Sequence, residues 1–225
     1  MSFGKLYTYK GGPRAIGIFA IAKSIGLDLE EIVFQPANGV PEEYRKLNKL
    51  GKTPTFVGTD GLILTECAAI ALYITRQDPE TTLLGATELD FILIIRWLSL
   101  TNTDVVTRMA AWVRPLIGYI PYSKEGVENA QRETAQAIQI YEDHLQDRNF
   151  LVADRLTVAD IVCAGMLSFG FAKIFDKEWR KNFPCFTEWF TMVMGLPILR
   201  AVVPNATLVE VGLPNEPPTK PFEAP

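Results

Sequence analysis

Two short segments hold the residue types best suited to gripping a small polar ligand. The first is Gly51-Lys52-Thr53-Pro54-Thr55-Phe56, where a proline begins an extended run. A proline there removes one ladder donor. If the Thr53–Pro54 bond is cis, Thr53 turns its own N–H and C=O outward, toward an extended ligand. The second segment is Leu64-Thr65-Glu66-Cys67-Ala68, where a strand pattern runs into a helix pattern. A helix start presents free N–H groups and the positive end of the dipole, so it favours a carboxylate. Together the segments describe a site for a small peptide. One edge is held by backbone pairing, one carboxylate sits at the helix end, and Glu66 takes an ammonium group. A plainer account has equal weight here: Thr65-Glu66 is also good helix-start chemistry with no ligand, worth about 1 kcal/mol.

Other chemistries are poorly supplied. The single histidine, His144, lies in Tyr141-Glu142-Asp143-His144-Leu145 with no nucleophile near it in sequence, and reads as a solvated helix residue. Cys67, Cys163 and Cys185 form no C-x-x-C, and with one histidine they complete no zinc quartet, so no metal is expected. Three widely spaced thiols fit a reduced, cytoplasmic protein. The first residues lack the apolar run of a signal peptide, and runs such as Phe91 to Ile95 fall far short of a membrane span, so no membrane partner is expected.

The elements that position these residues change character along the chain. Lys5 to Tyr9 reads as a strand, broken at Gly11-Gly12-Pro13, and Pro13 opens a helix that stops at Gly26. Leu29 to Phe34 is a second strand and Pro41 to Leu47 a short helix. Pro54 to Val57 and Leu62 to Leu64 flank a Gly-containing hairpin turn, after which Thr65 caps a helix to about Arg76. This gives residues 1–77 an α/β order with a crossover helix between the first two strands. After a linker over 78–86, residues 87–203 read as purely helical. Thr87-Glu88-Leu89-Asp90 and Thr157-Val158-Ala159-Asp160 have capping-box form, and Ile161 to Ala172 reads as a central buried helix. The helix after Thr87 is more apolar than a peripheral helix needs, which points to a homodimer contact. Residues 204–225 form a proline-rich tail.

The whole chain has 225 residues, 48% hydrophobic and 21% charged, which excludes wholesale disorder. Its 22 basic and 26 acidic side chains give a net charge of −4. An acidic chain has no general attraction for phosphate backbones, so nucleic acid is not an expected partner.

In order and spacing the segments resemble the glutathione transferase superfamily. Gly51 to Pro54 and Leu64 to Cys67 match the G-K-x-P and L-x-E-[S/T/A] segments of its thioredoxin-like domain. Asn149 to Val152, leading into Leu156 to Ile161, matches its all-helical domain. Arg96-Trp97-Leu98-Ser99, Asn102-Thr103-Asp104, Pro115 to Gly118, Pro121 to Lys124 and Glu178-Trp179-Arg180 are similar to the transferase-like domain of the gamma subunit of translation elongation factor 1B. The resemblance implies a thioredoxin-like N-terminal domain followed by an all-helical C-terminal domain, and glutathione as co-substrate or ligand. It gives Thr53 the cysteinyl backbone of glutathione, with Pro54 cis, Glu66 its γ-glutamyl amino group and the Cys67 N–H its carboxylate. Lys52 is placed to reach the glycyl carboxylate. Thr157 and Asp160 match a structural helix-capping motif.

Two departures stand out. Cys67 replaces the usual Ser or Thr after the glutamate, which keeps the N–H and loses a hydroxyl contact. At the end of the first strand, where transferases place a Tyr, Ser or Cys against the glutathione sulfur, Thr8 stands between Tyr7 and Tyr9, and the serine-type position falls on Gly11 or Gly12. The donors expected near the sulfur are Thr8, Tyr9, the turn backbone and Arg14. Elongation-factor subunits carry a further C-terminal domain, so the chain is expected to be a stand-alone relative or an excised piece. The resemblance implies two functions. One is conjugation of glutathione to small electrophiles, with Met109, Trp112 and Tyr119 as pocket candidates. The other is a non-catalytic scaffold role beside the factor's nucleotide-exchange subunit. A glutathione-dependent reductase would want a reactive cysteine at the first helix start, and Gly11-Gly12-Pro13-Arg14 has none.

Overall fold

The computed structural model describes residues 2–220 and 222. Strand β1 (Gly4–Thr8) leads through a tight turn into helix α1 (Pro13–Ser24), and β2 (Leu29–Val33) returns parallel to β1. A single 3₁₀ turn, Pro36–Asn38, and the short helix α2 (Glu42–Leu47) precede the hairpin of β3 (Thr55–Gly58) and β4 (Ile63–Thr65). The strand order is β2-β1-β3-β4, with β3 antiparallel to both its neighbours. Helix α3 (Cys67–Thr75) comes after β4. The chain is helical thereafter: α4 (Glu88–Leu100), a π-helical turn (Thr101–Val105), α5 (Val106–Leu116), α6 (Lys124–Leu145), α7 (Val158–Lys173), α8 (Lys177–Arg180), α9 (Pro184–Gly195) and α10 (Pro197–Arg200).

Helix α7 is the centre of the molecule. Burial of nearly every residue from Val158 to Leu167 explains its unbroken apolar run, since each enclosed Leu, Ile or Val contributes about 1.5–3 kcal/mol. Its start is fixed by Asp160, whose carboxylate accepts from Leu151 N, Trp189 Nε1 and the amide and hydroxyl of Thr157 at 2.8–3.0 Å. Helix α1 lies directly on α7. A Cβ added at Gly17 would meet Val162 Cα at 2.8 Å, and one at Gly165 would meet Gly17 N at 3.1 Å. Only glycine lets the two backbones come so close. The helical half is thereby locked to the helix that succeeds β1.

Three expectations change. Thr65 does not cap α3: its pairing with Thr55 keeps it in β4, and Glu66 stands at the cap instead. His144 is half-buried, 4.8 Å from the Trp97 ring centre and with Nε2 3.0 Å from Leu151 O. Burial pushes its pKa below the usual imidazole range. The helix after Thr87 continues through the π-helical turn into α5, a widening that no feature of the spacing announces. Of the proline-rich tail, residues 221 and 223–225 lie outside the described residues. The earlier part of the tail is bound to α7, with Val209 N donating to Phe171 O and Leu213 N to Lys173 O.

Candidate functional site

Sheet register brings the sequence candidates to one place. Thr55 pairs with Tyr7 on one side and with Thr65 on the other. The segments just beyond those residues, Thr8-Tyr9, Thr53-Pro54 and Glu66-Cys67, therefore share one end of the sheet.

The Thr53–Pro54 bond is cis. The loop carrying it is braced by two side chains that sequence reasoning misses, Tyr44 on α2 and Asn48 at its C-cap. The Tyr44 hydroxyl and the Asn48 amide both donate to Lys52 O, at 2.6 and 2.9 Å. Tyr44 Oη also lies 2.8 Å from Thr55 Oγ1, and Asn48 Nδ2 donates to that hydroxyl at 3.1 Å. With the Tyr44 proton committed to Lys52, the Thr55 hydroxyl donates to Tyr44 and accepts from Asn48. Tyr44, Asn48 and Thr55 are all buried, so the network is shielded from water and holds its geometry. Its only sequence signal is a Tyr on a short helix and an Asn four residues on at its end, a pattern that reads equally as ordinary packing. Lys52 itself projects into solvent.

Glu66 is exposed and has φ of 66°, in the left-handed region. A non-glycine residue held there costs about 1–3 kcal/mol and tends to mark a functional position. No side-chain cap bond is made at this helix start. Of the plainer account of Thr65-Glu66, side-chain capping is thus absent and the charge's interaction with the helix dipole remains. Cys67 next to it is buried, with Sγ 3.9 Å from Asn102 Oδ1 and from Met166 Sδ. Burial pushes its thiol above the ordinary range, while the nearby Arg14 charge pulls the other way. Its amide stays at the positive end of α3.

At the end of β1 the candidates separate. Thr8 is buried and its hydroxyl donates to Tyr9 O at 3.4 Å. A Cβ on Gly12 would come within 2.6 Å of Thr8 Oγ1, so Gly12 exists to admit that hydroxyl. Tyr9 is half-buried, and burial raises its phenol pKa while Arg14, Arg114 and then Tyr119 act on it through their charges. It stays a neutral donor at ordinary pH. Arg14, in the first turn of α1, donates from Nε to Asn102 Oδ1 at 2.9 Å. Arg114 lies 5.4 Å from the Tyr119 ring centre. Met109 and Trp112, expected as pocket residues, are instead buried in the core, and Tyr119 alone of the three is exposed. Cys163 is enclosed 3.0 Å from the Thr101 hydroxyl, and burial pushes its thiol up to about 12, so it is chemically inert. Among the described residues no three His, Cys, Asp or Glu side chains gather as a metal site, and no helix is long and apolar enough to cross a membrane.

Comparison with known proteins bears on the family and the fold. The family model "Glutathione S-transferase, N-terminal domain" matches residues 2–76, and "Glutathione S-transferase, C-terminal domain" matches residues 105–197. Glutathione S-transferase AN1595 of Emericella nidulans is 67% identical over 224 residues, spanning 100% of this chain and 84% of that protein. Elongation factor 1-gamma-A of Xenopus laevis is 32% identical, covering 93% of this chain but only 48% of that protein. Among solved structures, the GST-like domain of elongation factor 1-gamma from Saccharomyces cerevisiae superposes with a TM-score of 0.80 at 32% identity, covering 97% of this chain and 100% of that one. The thioredoxin-like and all-helical halves expected from the motifs are those of this fold, and the chain belongs to the glutathione S-transferase family.

Proposed function

We propose that the protein binds glutathione at the shared sheet end and adds its thiolate to small electrophiles in the cytoplasm. The observation that carries the reading is the juxtaposition of the cis Thr53–Pro54 edge with the strained Glu66 at the open end of α3. Thr53 pairs with the cysteinyl backbone, Glu66 takes the γ-glutamyl ammonium, the Cys67 N–H takes the adjoining carboxylate, and Lys52 reaches the glycyl carboxylate. In this pose the sulfur lies toward the end of β1, where Tyr9 donates a hydrogen bond and Arg14 supplies positive charge. The thiol loses its proton to solvent, the sulfur forms a bond to the electrophilic carbon, and in an aryl halide the carbon–halogen bond breaks and halide departs. Thr8, with its hydroxyl buried against Gly12, is not among the donors in this reading.

A homodimer is part of the proposal. Leu89, Ile92 and Ile95 are exposed along α4 at 63%, 60% and 44%, a single apolar stripe suited to a second copy. Light scattering tests it, with a particle of twice the chain mass expected and one near 25.1 kDa contradicting it.

The second reading, a scaffold beside the nucleotide-exchange subunit of elongation factor 1B, draws on the 32% identity to the elongation-factor domain over nearly its whole length. The deciding experiment runs an aryl-halide conjugation assay beside a pull-down with that subunit. Conjugation clearly above the uncatalysed rate supports the transferase. Glutathione binding without conjugation, together with capture of the exchange subunit, supports the scaffold.

A further inference from the structure

Asn102 sits on the second residue of the π-helical turn that links α4 to α5. Such a turn carries one residue more than an α-helical turn and re-aims the helix beyond it, and it is found frequently at functional sites. Here the preceding residue, Thr101, is fully buried and fixed: its hydroxyl donates to Trp97 O at 2.7 Å and contacts Tyr141 Oη and Cys163 Sγ. The next residue is turned the other way. Its side-chain carbonyl reaches out of the helical half to Arg14 on α1 and toward Cys67 on α3. Asn102 is therefore one point, with Met166 on α7, where the helical half touches the sheet end that carries the proposed ligand site.

We propose that Asn102 is a positioning residue for thiol activation: by accepting from Arg14 Nε it fixes the guanidinium beside the sulfur of bound glutathione. This rests on the glutathione reading above. The guanidinium is planar, so holding Nε fixes the direction of both Nη nitrogens. Among the described residues those nitrogens make no hydrogen bond, which leaves them for a ligand. The Arg14 charge is felt both at Tyr9 and at Cys67, which flank the site from the end of β1 and the start of α3. The other ionisable groups acting there are Glu66, Arg114 and Tyr119. Of the two arginines, only Arg14 is tied to the core through a second side chain. Arg114 is exposed and rests on the Tyr119 ring.

The test measures thiolate absorbance of bound glutathione against pH, which needs binding but no electrophile. Asn102→Ala should raise the bound thiol pKa by about half a unit to one unit, lowering the thiolate fraction at pH 6.5 roughly threefold to tenfold. Glutathione affinity should stay within about twofold, because Thr53 and Glu66 are untouched. On an Arg14→Ala background, Asn102→Ala should add nothing. Arg14→Lys keeps the charge but lacks the fork, and should behave like Asn102→Ala even if that variant folds poorly. An unmoved pKa in Asn102→Ala, an equal shift on the Arg14→Ala background, or a wild-type pKa in Arg14→Lys overturns the proposal while leaving the glutathione reading intact. Failure of the wild-type protein to bind glutathione removes both.

Discussion

The two sides of the site are built by different means. On the Thr53–Glu66 side, a cis proline edge, a strand end and a helix start succeed each other within one short stretch of chain, brought together by the β3–β4 hairpin and braced by the nearby Tyr44 and Asn48. On the Tyr9–Arg14 side, the arrangement depends on Asn102, 88 positions along the chain from Arg14. The first side is suited to holding a peptide by its backbone and charges, and the second to adjusting one sulfur. Local geometry suffices for grip, whereas activation depends on the docking of the helical half against α1.

If that division holds, damage on the two sides reads out in different parameters. Glu66→Ala should weaken glutathione binding about tenfold to a hundredfold, the worth of a charged hydrogen bond of roughly 1.5–3 kcal/mol, without moving the pKa of whatever thiol still binds. Calorimetric titration checks the first part and thiolate absorbance the second. A lowered conjugation rate at saturating glutathione would break the division. Tyr9→Phe should do the reverse, lowering the conjugation rate about tenfold with affinity nearly constant.

The pH profile sharpens the same contrast. Burial raises the Tyr9 phenol above its ordinary value, so it stays protonated and able to donate throughout the neutral range. The conjugation rate should rise with pH through the bound thiol pKa and show no falling limb below about pH 10. A decline between about pH 8 and 9 would mean that the donor ionises there and is not Tyr9.

Smaller effects are expected one layer out. Asn48→Ala leaves Lys52 O with a single side-chain donor and deprives the Thr55 hydroxyl of another, for a loss of about 1–2 kcal/mol in stability. Glutathione affinity should fall several-fold as the Thr53 loop loosens, measurable by melting and titration together. Thr8→Val is the weakest, at less than about twofold in rate, because the hydroxyl it removes is buried and bonded to Tyr9 O. A tenfold loss would restore Thr8 as the sulfur's donor.

Legibility in the sequence divides along the same line. The Pro54 edge, the Glu66–Cys67 helix start, the capping sequence ending at Asp160 and the buried α7 helix are readable because each depends on neighbours in the chain. Glu66 as the cap is not, because ladder pairing holds Thr65 in β4 and propensity gives no hint of that. Thr8 and Tyr9 are interchangeable in sequence, and only the contact between Gly12 and the Thr8 hydroxyl separates them. Met109 and Trp112 have the residue types of a pocket wall, but only packing shows that α5 turns them inward. Tyr44, Asn48 and Asn102 act through contacts between elements, and single-sequence periodicity carries no record of those.

The most direct test compares glutathione with S-methylglutathione by calorimetry on the wild-type protein. Methylation removes the ionisable thiol and leaves the backbone, the ammonium and both carboxylates in place. If binding resides at Thr53, Glu66 and Cys67 while Tyr9 and Arg14 act on sulfur, the two ligands should bind within about fivefold of each other. Glu66→Ala should then weaken both by the same factor. Loss of S-methylglutathione binding by about a hundredfold or more, or a Glu66→Ala effect confined to one ligand, would contradict the separation of grip from activation.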